Sequence, residues 1–317
     1  MNILYFLTQQ TMYYSIPLLV VALGGMFSER SGIVNIALDG IMIMGAFLGL
    51  FFMQAFQDKI PGQQLLIYTL LLAMVVGIVF SIFHAYAAIY QNANQVISGT
   101  ALNLFAPAFA IFTARMVTGV QQVHFLNRYR IRSIPYLSKI PVFGPMFFTN
   151  TYITTYIGLV ILIVSAYVLL KTWFGLRLRA CGEHPQAADA AGIKVQRMRL
   201  IGVLISGALA GMGGIILMVP ITTAFNGTVS GFGFLAIAVL IFGQWRPSRI
   251  LMAAFFFGFM QTIAAAYSGI PFLANLGIPS NMFKSIPYLT TIIVLAFTSK
   301  RSAAPKAAGE PYDPGKR

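Results

Sequence analysis

Leu65-Leu-Ile-Tyr-Thr-Leu-Leu-Leu-Ala-Met-Val-Val-Gly-Ile-Val-Phe-Ser-Ile-Phe-His-Ala-Tyr-Ala-Ala-Ile89 runs for 25 residues without an Asp, Glu, Lys or Arg. A helix rises about 1.5 Å per residue, so about 20 mostly apolar residues cross the ~30 Å hydrocarbon of a bilayer. In lipid the backbone must satisfy its own N–H and C=O groups, and a single segment achieves that as a helix. The stretch therefore predicts a membrane span. Eight further stretches repeat the pattern: Met12 to Phe27, Ile33 to Phe56, Val96 to Val117, Ile153 to Thr172, Leu200 to Ile221, Val229 to Phe242, Ile250 to Tyr267 and Met282 to Thr298. The first can extend back to Ile3. The seventh and ninth are short, which suits tilted, broken or partly re-entrant segments. No basic residue precedes the first apolar stretch, so no cleavable signal peptide is expected.

Composition agrees with this reading. Of 317 residues, 58% are apolar and 9% charged, with a mean hydropathy of +0.80; soluble domains average about 45–50% and about 25%. Such a chain cannot cover its surface with ionised side chains, which excludes a soluble enzyme, a disordered protein and a secreted disulfide scaffold. The single cysteine, Cys181, permits no internal disulfide. The expected fold class is all-α, a polytopic helical bundle of about nine (eight to ten) transmembrane helices. Residues 1–298 form one domain, and residues 299–317, rich in Ala, Pro, Gly and Lys without an apolar period, form a disordered cytoplasmic tail.

The net charge of +14 reads as loop cations that orient a membrane protein, with no nucleic acid implied. Lys171, Arg177, Arg179, Lys194, Arg197 and Arg199 lie between the fifth and sixth spans; Lys300, Arg301, Lys306, Lys316 and Arg317 lie in the tail. Four spans separate these segments, so they share a side, as do Arg30, Arg246 and Arg249. That side, with 14 of the 21 basic residues, is the cytoplasm, and the N-terminus is outside. The loop from Thr118 to Tyr152 resists the rule, since it is assigned outside yet carries Arg128, Arg130, Arg132 and Lys139. Its alternating Arg128-Tyr-Arg-Ile-Arg132 suggests an exposed strand or amphipathic edge, suited to an acidic protein partner or to lipid phosphates.

Catalytic patterns are scarce. There is no G-x-x-x-x-G-K-[ST] phosphate loop, and His84, His124 and His184 have no zinc spacing, so neither cofactor nor metal is expected. Intramembrane charge is almost confined to Asp39, with Arg115 and Lys284 near span ends. An ion-coupled carrier commonly needs more buried carboxylates than that.

The loop 173–199 contains a short helix with both ends marked. Pro185 suits the first helical position, alanines follow, and Gly192 supplies a left-handed stop. Alone, a helix of about two turns is marginal. It is either an amphipathic connector on the membrane surface or a knob for a groove on another protein.

Here the sequence resembles a known family. Ala187-Ala-Asp-Ala-Ala-Gly192, with Gly175-Leu-Arg-Leu-Arg-Ala-Cys-Gly-Glu-His-Pro185 before it, is similar to the A-A-x-x-x-G coupling segment of ATP-binding-cassette importer permeases serving simple sugars, nucleosides and branched-chain amino acids. Phe27-Ser-Glu-Arg-Ser-Gly-Ile-Val-Asn-Ile-Ala-Leu-Asp-Gly40 resembles the signature of nucleoside-type permeases in that branch. Asn94-Gln-Val-Ile-Ser-Gly-Thr-Ala-Leu-Asn103 resembles a third stretch, with Gln95 where glutamate is usual. The resemblance implies a permease subunit of a bacterial cytoplasmic-membrane importer. Its partners would be a second, diverged permease, cytoplasmic ATPase subunits and an extracytoplasmic substrate-binding lipoprotein. Glu183, Pro185, Ala187, Ala188, Gly192 and Ile193 are then candidates for the ATPase interface. The substrate would be a nucleoside, with riboflavin or a simple sugar as alternatives, and an ion-coupled secondary carrier as a rival reading.

A nucleoside needs a stacking surface for its base and amide or hydroxyl partners for its ribose. Asn92, Asn94, Gln95, Ser98, Asn103, Phe225, Asn226, Phe232, Phe234 and Tyr267 have that chemistry. Asn35 and Asp39, four apart, share a helix face. They read equally as part of a polar pathway or as a satisfied hinge, with Asp39 capping a helix start. Gly207, Gly211, Gly213 and Gly214 allow close helix packing. Gly32-Ile-Val and Gly227-Thr-Val open comparable segments before the second and seventh spans, an echo of an inverted repeat.

Overall fold

The computed structural model describes residues 3–141, 143–267 and 303–313, with isolated positions between 268 and 302. Helices α1 (Ile3–Arg30), α2 (Leu38–Phe56), α3 (Gly62–Tyr90) and α4 (Gln95–Thr118) come first. A loop follows with β1 (Val123–His124), β2 (Ile131–Ser133), a 3-10 turn (Leu137–Lys139), α5 (Phe143–Phe147) and β3 (Thr149–Thr151). Then come α6 (Ile153–Lys171), α7 (Trp173–Glu183), α8 (Pro185–Ala190), α9 (Val195–Ile221), β4 (Ala224–Phe225), α10 (Phe232–Phe242) and α11 (Pro247–Ala266).

Among the described residues seven helices are long and apolar enough to cross a membrane: α1, α2, α3, α4, α6, α9 and α11. The seventh expected span, Val229 to Phe242, is instead the 11-residue α10. At about 1.5 Å per residue it covers roughly half the hydrocarbon. The ninth, Met282 to Thr298, lies outside the described residues apart from isolated positions. The second begins later than expected, at Leu38 rather than Ile33, because residues 31–37 are irregular. Gly32 starts the break at φ +99°, a conformation that suits glycine.

The bundle is built around α9, which packs on α3, α1 and α2. The glycines expected to permit close packing are where the backbones meet. A Cβ on Gly211 would strike the Ala73 carbonyl of α3, and one on Gly214 would strike the Met42 carbonyl of α2. One on Gly213 would strike the Val21 side chain of α1. Gly77 of α3 and Gly45 of α2 complete the fit against Gly207 and Gly211. Helix α4 lies outside this core; its Ile97, Leu104, Phe112 and Met116 are each more than 60% exposed, so it presents an apolar flank to lipid or to another chain.

The two ends of the bundle differ. At one end Gln9 near the start of α1 donates to the Pro145 carbonyl at 2.8 Å, and the Tyr13 hydroxyl donates to the Asn150 carbonyl. The N-terminal part of α1 therefore sits with the 119–152 loop. Here β1 pairs antiparallel with β4, and β2 with β3. Ile131 and Arg132 lie in β2, so the alternating arginine stretch is partly a strand, as expected. At the other end α7, α8, the α1–α2 turn and the α10–α11 turn come together with the tail. The expectation of a disordered tail is corrected for residues 303–313, which pack there: the Ala307 and Gly309 amides donate to the Gly182 and Gly32 carbonyls at 2.9 and 3.0 Å. Backbone donors and one aromatic, Tyr312, do this without an apolar period to announce it.

Candidate functional site

The break between α1 and α2 is buried, so its free backbone groups need partners that water cannot supply. Side chains from α3, α4 and the break itself provide them. Gln95 Oε1 accepts from the Val34 amide at 2.7 Å, and His84 Nε2 meets the Val34 carbonyl at 3.1 Å. A carbonyl only accepts, so the neutral His84 ring carries its proton on Nε2. Its Nδ1 then takes the hydroxyl of Ser98 at 2.8 Å. Asn103 works on both sides of the break, donating to the Ile36 carbonyl at 2.8 Å and accepting from the Gly40 amide at 2.7 Å. Asn35 accepts from the Ala37 amide at 3.1 Å and donates to Ser206 Oγ at 2.9 Å.

Ser206 lies 11 residues into the 27-residue α9, roughly 16 Å along it, so the break reaches well into the bundle. There the start of α2 meets the start of α10. Asp39, in the first turn of α2, accepts from the Gly233 amide at 2.8 Å and so caps α10. A Cβ on Gly233 would collide with Asp39, which fixes how closely the two helix starts approach. Phe232 is buried beside them, stacked on Tyr14 of α1 with centroids 6.1 Å apart.

The expected pathway residues thus divide. Asn35, Asp39, Gln95, Ser98 and Asn103 come together: Asn35, Gln95 and Asn103 bond the broken backbone, Ser98 bonds His84, and Asp39 caps α10. Asn94 is elsewhere, capping α4 by accepting from the Val96 and Ile97 amides. Phe225 is buried in the β1–β4 pairing, opposite Val123. Tyr267, at the end of α11, stacks on Phe283 at 4.8 Å. Asn226 is exposed, and so are Thr228, Ser230 and Phe234 along the segment that leads into α10. Sequence reasoning missed His84, Ser206 and Trp245. A histidine inside an apolar span was the available signal, because a polar ring there is costly unless bonded.

At the tail end, α8 has Pro185 at its first position, and Gly192 ends the segment at φ +80°. Pro185 and Ala188 face inward and are buried, whereas Ala187 and Gly192 are exposed and Ile193 is half-buried. Ala188 packs with Cys181 and Val195. Burial pushes the Cys181 thiol up to about 11. Beside α8 an open groove of about 720 Å³ is lined by Trp173, Leu176, Ile193, Arg197 and Ile201 among others.

A relay of three contacts leads from this segment into the bundle. Glu183, at the end of α7, pairs with Arg30 at 3.5 Å. Arg30 also donates to the Trp245 carbonyl at 3.1 Å, and the Trp245 indole N–H donates to Glu29 at 2.6 Å. Trp245 lies three residues past the end of α10, so α7 reaches the C-terminal end of the half-helix whose N-terminal end rests on Asp39. Among the described residues no group of three or more His, Cys, Asp or Glu side chains could hold a metal ion.

A protein-family profile described as "Branched-chain amino acid transport system / permease component" matches residues 7–295. The chain is 42% identical to the guanosine ABC transporter permease protein NupQ of Bacillus subtilis, across 100% of this chain and 99% of that protein. It is 39% identical to the nucleoside ABC transporter permease protein NupC of Lactococcus lactis, across 98% of each. It also resembles the nucleoside ABC transporter permease protein NupB of the same bacterium, at 27% identity over 85% of this chain and 74% of that one.

Proposed function

The chain belongs to the family of branched-chain amino acid transport system permease components, and from that premise we propose that it forms half of the translocation pathway of an ATP-driven nucleoside importer in a bacterial cytoplasmic membrane. The observation that carries the nucleoside reading is the end-to-end likeness to permeases named for guanosine and for nucleosides. The chain is a non-catalytic transport subunit; ATP is hydrolysed by cytoplasmic partners, and a substrate-binding lipoprotein delivers the solute from outside. Lactococcus lactis has two permeases named for nucleosides, and this chain is nearer to one of them. That supports pairing with a diverged second permease.

The geometry supports the following mechanism. The exposed face of α8, with Ala187 and Gly192 and the adjoining half-buried Ile193, is small enough to seat in a groove of the ATPase. Pro185 and Ala188 hold α8 from behind. Glu183 and Arg30 carry its displacement to Trp245 and so to α10. A rigid half-helix bearing on the junction with α2 can then rock one part of the bundle against another, which is alternating access. Asn35, Gln95, Ser98 and Asn103 act as the hinge that keeps the broken backbone satisfied during that motion. Asn226, Thr228, Ser230 and Phe234 supply the hydroxyl, amide and aromatic surfaces a nucleoside requires, on the face left open for the second permease.

Uptake of radiolabelled guanosine by vesicles containing the whole complex tests the substrate. Other nucleosides are expected to compete, and riboflavin, ribose and leucine to leave uptake unchanged. Transport of riboflavin or ribose with no uptake of nucleosides would overturn the reading.

A further inference from the structure

The tail segment 303–313 touches the α10–α11 turn, α7, α8, the α1–α2 turn and α9. The Ala303 amide donates to Gln244 Oε1 at 3.0 Å, in the turn between α10 and α11. The Ala307 amide donates to the Gly182 carbonyl of α7 at 2.9 Å, and the Gly309 amide to the Gly32 carbonyl at 3.0 Å. Gly309 sits at φ +84°, so a side chain there would be strained. Beyond it the Glu310 carbonyl accepts from Arg199 Nη1 of α9 at 2.9 Å, and the Tyr312 ring lies 5.9 Å from the guanidinium.

Arg199 is fully buried, and its Nε and Nη2 have no hydrogen-bond partner among the described residues. A buried cation is costly without compensation. The tail supplies compensation of two kinds, a carbonyl dipole and an aromatic face. Tyr312 is itself buried, in one apolar cluster with Cys181, Ala188 and Val195. The ring therefore packs directly behind α8, the helix proposed above to meet the ATPase.

We propose that residues 303–313 are a strap that locks α7 and α8 to the α1–α2 turn and α9, with Tyr312 and Gly309 as positioning residues for coupling. The strap turns a marginal two-turn helix into part of a rigid lever. Without it, α8 keeps its packing on α7 and α9 and the half-exposed Glu183–Arg30 pair, a weak tether. The hydrogen bonds that join α7 to the α1–α2 turn and α9 through residues 303–313 are lost. A push on α8 would then reach the α1–α2 turn less directly. The inference rests on the reading of the chain as an ATP-driven permease, and its test separates the two.

The test uses the whole complex with the chain ended after Ser302, alongside Gly309→Val, Tyr312→Ala and Tyr312→Phe. Two quantities are read: nucleoside imported per ATP hydrolysed, and the rate at which a maleimide labels Cys181, followed by mass spectrometry of its peptide. Cys181 is buried and its thiol is neutral near pH 7, because its pKa is raised to about 11; it should label slowly in the intact protein. Truncation should speed labelling by an order of magnitude or more and lower import per ATP several-fold while hydrolysis continues. Gly309→Val and Tyr312→Ala should move both quantities the same way by less, and Tyr312→Phe, which keeps the ring beside Arg199, should move them less than Tyr312→Ala does. Unchanged import per ATP in a variant whose Cys181 has become reactive would overturn the strap, as would unchanged labelling. If the truncated chain does not assemble, the three point variants decide by the same two readings. If the unaltered complex shows no ATP-driven uptake, the transport reading fails, and Cys181 labelling still reports whether the tail holds α8.

Discussion

Two breaks in the chain do similar things with opposite surroundings. Residues 31–37 precede α2, and residues 226–231 precede α10; each is an irregular segment leading to a helix that starts inside the bundle. In the first, amide and imidazole groups from α3 and α4 answer the backbone, and Asn35, Gln95 and His84 are buried. In the second, Asn226, Thr228 and Ser230 are exposed. The lesson is that a polar residue in an apolar span is not thereby a substrate contact. Where the backbone is broken, the first demand on polar side chains comes from the backbone itself.

The largest effect should come from breaking the closed region at its most connected residue. Asn103→Leu orphans the Ile36 carbonyl and the Gly40 amide, each costing about 1–3 kcal/mol when buried. Loss of folded protein, or a marked fall in melting temperature in detergent, is expected. Full stability would mean that the α1–α2 break is not held as described. Next comes Trp245→Phe, which keeps a ring but removes the N–H donated to buried Glu29, at a cost of about 1–3 kcal/mol. Import per ATP should fall as well, and a normal ratio would separate α10 from coupling. Asp39→Leu removes the cap on α10 and should cost about 1 kcal/mol. Asp39→Asn keeps an acceptor and should retain most activity, a result that an ion-binding carboxylate would not give.

The smallest effect on stability belongs to the open region. Asn226→Ala and Ser230→Ala should shift melting by no more than about 0.5 kcal/mol, as exposed substitutions do, yet raise KM for nucleoside uptake several-fold. An unchanged KM in both would place the substrate path away from this wall.

The long spans were legible because hydropathy and length suffice for them. The short helix with Pro185 and Gly192 was legible too, because both end signals are local in sequence. Half-helix α10 showed itself as a short apolar stretch, suited to a broken or re-entrant segment; what its sequence did not show is that its start rests on Asp39 of α2. Asn35 and Asp39 could be read as either a satisfied hinge or a polar pathway, whereas Gln95 and Asn103 showed only as polar positions. Asn103 and Gln95 bond a backbone more than 60 positions away, and no local pattern encodes such a partner. Phe225 looked like a stacking surface for the same reason that it is a core residue, being large and apolar. The tail misled because low complexity describes how a segment folds alone, whereas this one is held by carbonyls that other segments leave free.

The most direct test of the account is the energy source for nucleoside uptake. In vesicles holding the complete complex, uptake should require internal or external ATP on the ATPase side and should survive collapse of proton and sodium gradients by ionophores. Uptake by this chain without an ATPase, driven by either gradient and abolished by ionophore, would contradict it.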